Sequence, residues 1–138
     1  MTRTTLAQPR GLDSIVPMVS TRGMTQRGSC HCGKVRFEAE GDITQVIECN
    51  CSHCSRKGFL LWFVPRQALQ LQTSPDELAS YFFNKHVIEH RFCPTCGCQP
   101  FGLGTDPAGN AVAAINVRCL EDLDLGSLKR VAYDGRSK

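Results

Sequence analysis

The sequence predicts a mostly β domain of many short strands, pinned by cysteines, and three observations support that expectation. Apolar residues recur at every second position in several short runs, and Gly, Pro, Asn and Asp punctuate those runs every few residues. No segment sustains a 3.6-residue period over three turns, which leaves little room for long helices. Seven of the nine cysteines fall into three tight clusters, Cys30-His31-Cys32, Cys49-Asn50-Cys51-Ser52-His53-Cys54 and Cys93-Pro94-Thr95-Cys96. At 138 residues, with 41% apolar and 21% charged side chains, the chain has the size and composition of one globular domain with a modest core.

The elements follow in order. Residues 1–24 show no period and few large apolar residues and are expected to form a loosely ordered leader; the domain is expected to run from residue 25 to 138. From Thr25 the punctuation is that of β-structure. Lys34 to Glu40 alternates polar and apolar and stops at the turn dipeptide Gly41-Asp42, and Val46-Ile47-Glu48 leads into the second cluster. Phe59 to Val64 is an unbroken apolar run ended by Pro65, which predicts a strand buried on both faces, with Trp62 and Phe63 in the core. Leu69 to Gln72 alternates again, and Ser74-Pro75-Asp76 is a turn. Ala79 to Phe83 and Val87 to Phe92 read as a strand pair joined at Asn84-Lys85-His86, the second strand delivering the chain to Cys93. Phe101 to Gly104 and Ala111 to Val117 are further strands around a turn at 106–110. Glu121 to Leu128 predicts one short helical turn, and Val131-Ala132-Tyr133 a closing strand.

The cluster sizes divide as four and three. A zinc ion held by four cysteines is closed and structural, whereas three protein ligands leave a position for water or substrate. Cys93-Pro94-Thr95-Cys96-Gly97 has the residue types of a zinc knuckle: Pro94 stiffens the turn and Gly97 permits a left-handed backbone after it. The βαβ context of a thioredoxin-like redox pair is missing around it. Cys30 and Cys32 are a tighter chelate, and about sixty residues separate the two pairs, so one ion on Cys30, Cys32, Cys93 and Cys96 would fasten the start of the domain to its later half. Cys49, Cys51 and Cys54 supply three thiolates within six residues. A substrate thiol on that second ion would be held deprotonated. The competing reading closes this site with His53, His31, Cys98 or Cys119. His53 sits between two ligands in a tight loop, poorly placed for the same ion, and Cys98 and Cys119 otherwise read as small buried hydrophobes. The open position should face a pocket walled by Phe59 to Trp62 and residues near Phe101, with Arg56, Arg91 or Arg118 available to a carboxylate; Lys57, like Arg56 and Arg118, could bind one, although surface solvation is the expected role of any one of them.

Gly28-Ser29-Cys30-His31-Cys32-Gly33-Lys34-Val35, Cys49-Asn50-Cys51-Ser52-His53-Cys54, Phe92-Cys93-Pro94-Thr95-Cys96-Gly97 and Asn116-Val117-Arg118-Cys119-Leu120-Glu121-Asp122 together resemble the glutathione-dependent formaldehyde-activating enzyme family, which also includes centromere protein V. The resemblance runs from about Thr25 to at least Asp124. It implies several small antiparallel sheets in a tent-like arrangement, a structural zinc on Cys30, Cys32, Cys93 and Cys96, and a catalytic zinc on Cys49, Cys51 and Cys54. It also implies condensation of glutathione with formaldehyde, a carbon–sulfur lyase reaction in the reverse direction.

The remaining signals narrow the function class. The formal charge is +3, but seven thiolates and two Zn²⁺ ions shift it by −3, to about zero, and the basic residues form no stripe. Nucleic acid is therefore not an expected partner. No apolar run approaches the 18 or so residues of a membrane span, so no membrane partner is expected, and a cytoplasmic, reducing setting suits clustered thiols. The expected partners are a small thiol, with glutathione as the candidate, and a small aldehyde such as formaldehyde; nothing in the pattern specifies an oligomer. The alternative is a non-catalytic zinc module for a protein partner, which would be expected to carry a long basic or Pro-rich extension.

Overall fold

A computed structural model of the chain describes residues 24–83 and 88–137. The expected leader, apart from Met24, and the turn between the predicted strand pair lie outside the described residues. Among the described residues ten strands fall in two sheets. β1 (Thr25–Ser29), β2 (Arg36–Glu40) and β5 (Leu69–Leu71) form a three-stranded antiparallel sheet in the order β1-β2-β5. The larger sheet contains β3 (Gln45–Cys49), β4 (Leu61–Pro65), β6 (Ala79–Tyr81), β7 (Glu89–Phe92), β8 (Phe101–Thr105), β9 (Ala111–Asn116) and β10 (Lys129–Tyr133). Its order is β10-β3-β4-β9-β8-β7-β6. The mostly β class holds. The larger sheet is mixed, because β10 lies parallel to β3 while its other pairs are antiparallel.

Strand β2 shows how the pattern builds the core. Phe37 and Ala39 are buried while Arg36 and Glu40 face solvent, so the period of two becomes one face inward and one outward. Phe37 meets Phe101 of the other sheet edge to face, ring centres 5.9 Å apart, and Val35, Val46, Leu60, Ile115 and Val117 fill the space around them. The pair β6–β7 forms as expected, with Ala79 opposite Phe92 and Tyr81 opposite His90.

Two expectations fail. The run Phe59 to Val64 is not a strand buried on both faces: Phe59 and Leu60 precede β4, and within it burial alternates, leaving Phe63 51% exposed while Trp62 and Val64 point inward. Phe63 is thus a surface residue, and only Trp62 joins the core. A helix also forms where none was predicted. α1 (Ser52–Lys57) rises directly out of the second cysteine cluster, and six residues are too few to show a helical period. Its signals were at its ends: Arg56 and Lys57 in the last turn, then Gly58 in the left-handed conformation at φ 69° as C-cap. The turn expected between Glu121 and Leu128 is a 3-10 turn at Leu125–Ser127.

Candidate functional site

Two groups of thiols assemble, and they match the four-plus-three division. The sulfurs of Cys30, Cys32, Cys93 and Cys96 lie within 4.8 Å of one another, as do those of Cys49, Cys51 and Cys54. Four sulfurs at zinc–thiolate distance on a tetrahedron stand about 3.8 Å apart. The Cys30–Cys32 and Cys32–Cys93 Sγ separations are 3.6 and 3.7 Å, so the four-thiol group fits such an ion.

That group joins the two sheets. Cys30 and Cys32 occupy the turn from β1 to β2, and Cys93 and Cys96 the loop from β7 to β8. The knuckle closes by Cys93 N donating to Cys98 O at 2.9 Å and Gly97 N to Cys93 O at 2.7 Å, with Gly97 left-handed at φ 82° as its position predicted. Cys93 and Cys30 are buried in the core itself. Backbone donors also serve the sulfurs: Val35 N donates to Cys30 Sγ at 3.3 Å. Burial pushes the Cys96 thiol up, but donors from the Cys32 and Cys98 backbone and the facing thiols outweigh it and lower it to about 6. Cys32 receives a Lys34 backbone donor, yet burial and its three thiol neighbours push it up to about 11. Four thiols so packed resist sharing four negative charges, and a divalent cation removes that conflict.

The three-thiol group comes from one stretch of chain. Cys49 ends β3, Cys51 is the N-cap of α1, and Cys54 lies in its first turn. Cys51 N donates to Cys49 Sγ at 3.4 Å and Cys54 N to Cys51 Sγ at 3.3 Å. Burial raises Cys51, but the Cys54 backbone donor and the neighbouring thiols lower it overall; Cys54 is raised, first by burial and then by its contact with Cys51. Chelate spacing, backbone donors to sulfur and a soft all-thiol donor set fit a zinc-like cation. Among the described residues no fourth Cys, His, Asp or Glu joins this group.

The residues weighed as a fourth ligand go elsewhere. The Cys98 and Cys119 sulfurs lie 3.4 Å from each other, both half-buried, and belong to neither group. His31 is exposed. His53 turns into an aromatic cluster, its ring centre 4.2 Å from that of His90, 5.1 Å from Phe83, 5.5 Å from Phe59 and 5.7 Å from Tyr81. His90 Nδ1 pairs with Gln99 Nε2 at 3.2 Å. Burial, then the nearby His53 and Lys57, lower His90 to about 4, so it is neutral at physiological pH.

A cavity of about 720 Å³ opens between the outer face of α1 and the strand pair, lined among others by Ser52, His53, Arg56, Lys57, Tyr81 and Phe83. Phe92, Gly97 and Gln99 line it too, so the expected segment near Phe101 contributes Gln99; Phe59 to Trp62 does not line it, nor does any of Cys49, Cys51 and Cys54. Trp62 points into the core, and Phe101 lines a separate cavity of about 190 Å³ with Arg91. Arg91 bonds to Glu89 at 3.1 Å, Ser80 at 2.7 Å and Pro75 O at 2.8 Å. Arg118 donates Nε to Gly58 O at 2.7 Å, tying down the end of α1. Of the three cations expected at the pocket only Arg56 lines the larger cavity, where Lys57 joins it. Its aromatic side went unread because Tyr81 and Phe83 sit some thirty residues beyond the cysteines, and only the pairing of β6 with β7 brings them back.

The model of the glutathione-dependent formaldehyde-activating enzyme family matches residues 25–132, most of the chain. The chain belongs to this family. A crystal structure of a Rhodobacter sphaeroides protein, a structural genomics target, is similar with a TM-score of 0.66 at 27% identity, over 76% of this chain and 99% of that one. Membership ties the chain to glutathione- and formaldehyde-related chemistry, and the two thiol groups are the places in it suited to metal ions.

Proposed function

We propose that this protein, through a domain spanning residues 25–138, is a zinc enzyme of the carbon–sulfur lyase type, joining a small thiol such as glutathione to a small aldehyde such as formaldehyde, or releasing them. Cys30, Cys32, Cys93 and Cys96 would hold a structural ion and Cys49, Cys51 and Cys54 a catalytic one. The observation that supports this most is the three-thiol group with no fourth protein ligand among the described residues. A zinc ion there would supply Lewis-acid stabilisation of a substrate thiolate.

The chain's own residues would do the rest. Arg56 and Lys57 at the cavity rim offer positive charge to the carboxylates of a thiol such as glutathione. Tyr81 and Phe83 give the cavity an aromatic wall with His53 beside them, and burial lowers the pKa of both His53 and His90, which disfavours competing positive charge there. The reaction forms one C–S bond as the thiol sulfur adds to the carbonyl carbon; the carbonyl π bond breaks and the thiol proton ends on oxygen. No oxidant or reductant is needed. None of the nine cysteines is paired in a disulfide, and clustered thiols suit a reducing compartment such as the cytoplasm. Among the described residues no helix is long and apolar enough to cross a membrane.

The test is proton NMR of glutathione and formaldehyde approaching equilibrium with the S-hydroxymethyl adduct. Zinc-loaded protein should speed exchange in proportion to its concentration, and Cys51→Ser should lose the effect. Exchange at the uncatalysed rate with fully loaded protein would reject the enzyme reading and favour a partner-binding module.

A further inference from the structure

The last strand does more than close the sheet. β10 lies parallel to β3 with Tyr133 opposite Cys49, and Asn50 N donates to Tyr133 O at 3.1 Å. Beyond the strand the chain stays against the three-thiol group. The Asn50 side chain grips it twice, Nδ2 donating to Asp134 Oδ1 at 3.0 Å and Oδ1 accepting from Arg136 N at 2.9 Å. Between the two gripped residues lies Gly135. A Cβ placed on it would overlap Cys49 Sγ, come within 3.3 Å of Cys51 Cβ, and stand 3.5 Å from the Tyr133 ring. Gly135 is not among the residues with left-handed backbone, so what it supplies is room rather than conformation.

We propose that Tyr133–Arg136 is the outer wall of the three-thiol site and that Gly135 is a positioning residue for the Cys49 ligand. This rests on the reading that Cys49, Cys51 and Cys54 hold a metal ion. The wall is fixed from two sides, by the β10–β3 ladder and by Asn50. Cys49, by contrast, can move its sulfur by a single side-chain rotation. A methyl group on Gly135 is therefore accommodated by turning Cys49 Sγ out of the chelate, leaving two ligands where three stood. The four-thiol group takes its residues from other loops and is unaffected. The tail thus acts on metal retention at one site and leaves the fold in place.

The experiment uses full-length zinc-loaded protein, wild type, Gly135→Ala, Asn50→Ala and the double variant, dialysed against graded chelator, with zinc per chain and circular dichroism read at each step. Wild type should carry two ions. Gly135→Ala should keep the first with native dichroism and release the second at a chelator concentration at least tenfold lower. Asn50→Ala adds no bulk and should weaken only the second ion, severalfold. The double variant should retain the second ion at least as well as Gly135→Ala, because a released tail can move aside; the two effects then fail to add. Wild type with a single ion would overturn the metal reading and the proposal with it. Two ions in wild type and an unchanged second ion in Gly135→Ala would overturn the wall alone. Should Gly135→Ala lose both ions or unfold, Asn50→Ala decides, and an unchanged second ion there rejects the proposal.

Discussion

The two thiol groups differ less in chemistry than in where the chain roots them. The four-thiol group draws on two loops about sixty residues apart, in different sheets, and two of its members, Cys30 and Cys93, are packed in the hydrophobic core. The three-thiol group draws on one strand end and the first turn of one short helix, with Cys49 and Cys51 half-buried. An ion on the first group would close a long loop and hold the sheets together, so its binding energy would be folding energy. An ion on the second group would order a segment already held by β3, by Arg118 at the end of α1 and by the tail. On the proposed reading, similar thiolates would serve stability in one place and leave room for chemistry in the other.

The largest expected effect breaks this contrast directly. Cys93→Ser should leave the domain unfolded or severely destabilised, since structural zinc contributes on the order of 10 kcal/mol or more. Cys51→Ser should remove one ion and shift the melting temperature far less. Thermal unfolding followed by circular dichroism, with zinc per chain, checks both; equal losses of stability would erase the distinction. A smaller effect sharpens it. Arg118→Ala removes the donor to Gly58 O and should cost about 1 kcal/mol in urea unfolding. The same change should make the second ion easier to strip without touching the first.

How far the sequence foretold this contrast can be traced residue by residue. The cysteine groupings were legible because chelate spacing is local, and β2 was legible because its alternation is. Phe63 misled because a continuous apolar run looks the same whether one face or both are covered, and here the outer face of β4 is open. α1 left its signal only at its ends. The wall at Gly135 could not be read at all: it depends on β10 returning parallel to β3, which brings together residues 84 and 86 positions apart. Arg118 read as a surface cation available to a carboxylate because nothing local told that its partner is a backbone carbonyl 60 residues earlier.

The smallest effect concerns the aromatic cluster around His53 and His90. Burial, then His53 and Lys57, hold His90 near 4, below the ordinary histidine value of 6.5. A base with a depressed folded pKa contributes stability that is complete above the unfolded value. That stability is lost as pH falls from about 6.5 toward 4, because the unfolded chain takes the proton first. His90→Phe, which keeps a ring in the cluster, should show a shallower loss of unfolding free energy over that window than wild type. Parallel curves would mean that His90 is not held neutral by the fold.

The contrast between a closed and an open site is tested most directly by cobalt substitution at the three-thiol group, with zinc kept on the other. Adding millimolar glutathione should alter the thiolate-to-cobalt charge-transfer and ligand-field bands as a fourth sulfur enters, and Cys51→Ser should abolish the signal. A spectrum of full tetrahedral thiolate character before any thiol is added, and unchanged after it, would mean that the protein closes this site itself and would contradict the account.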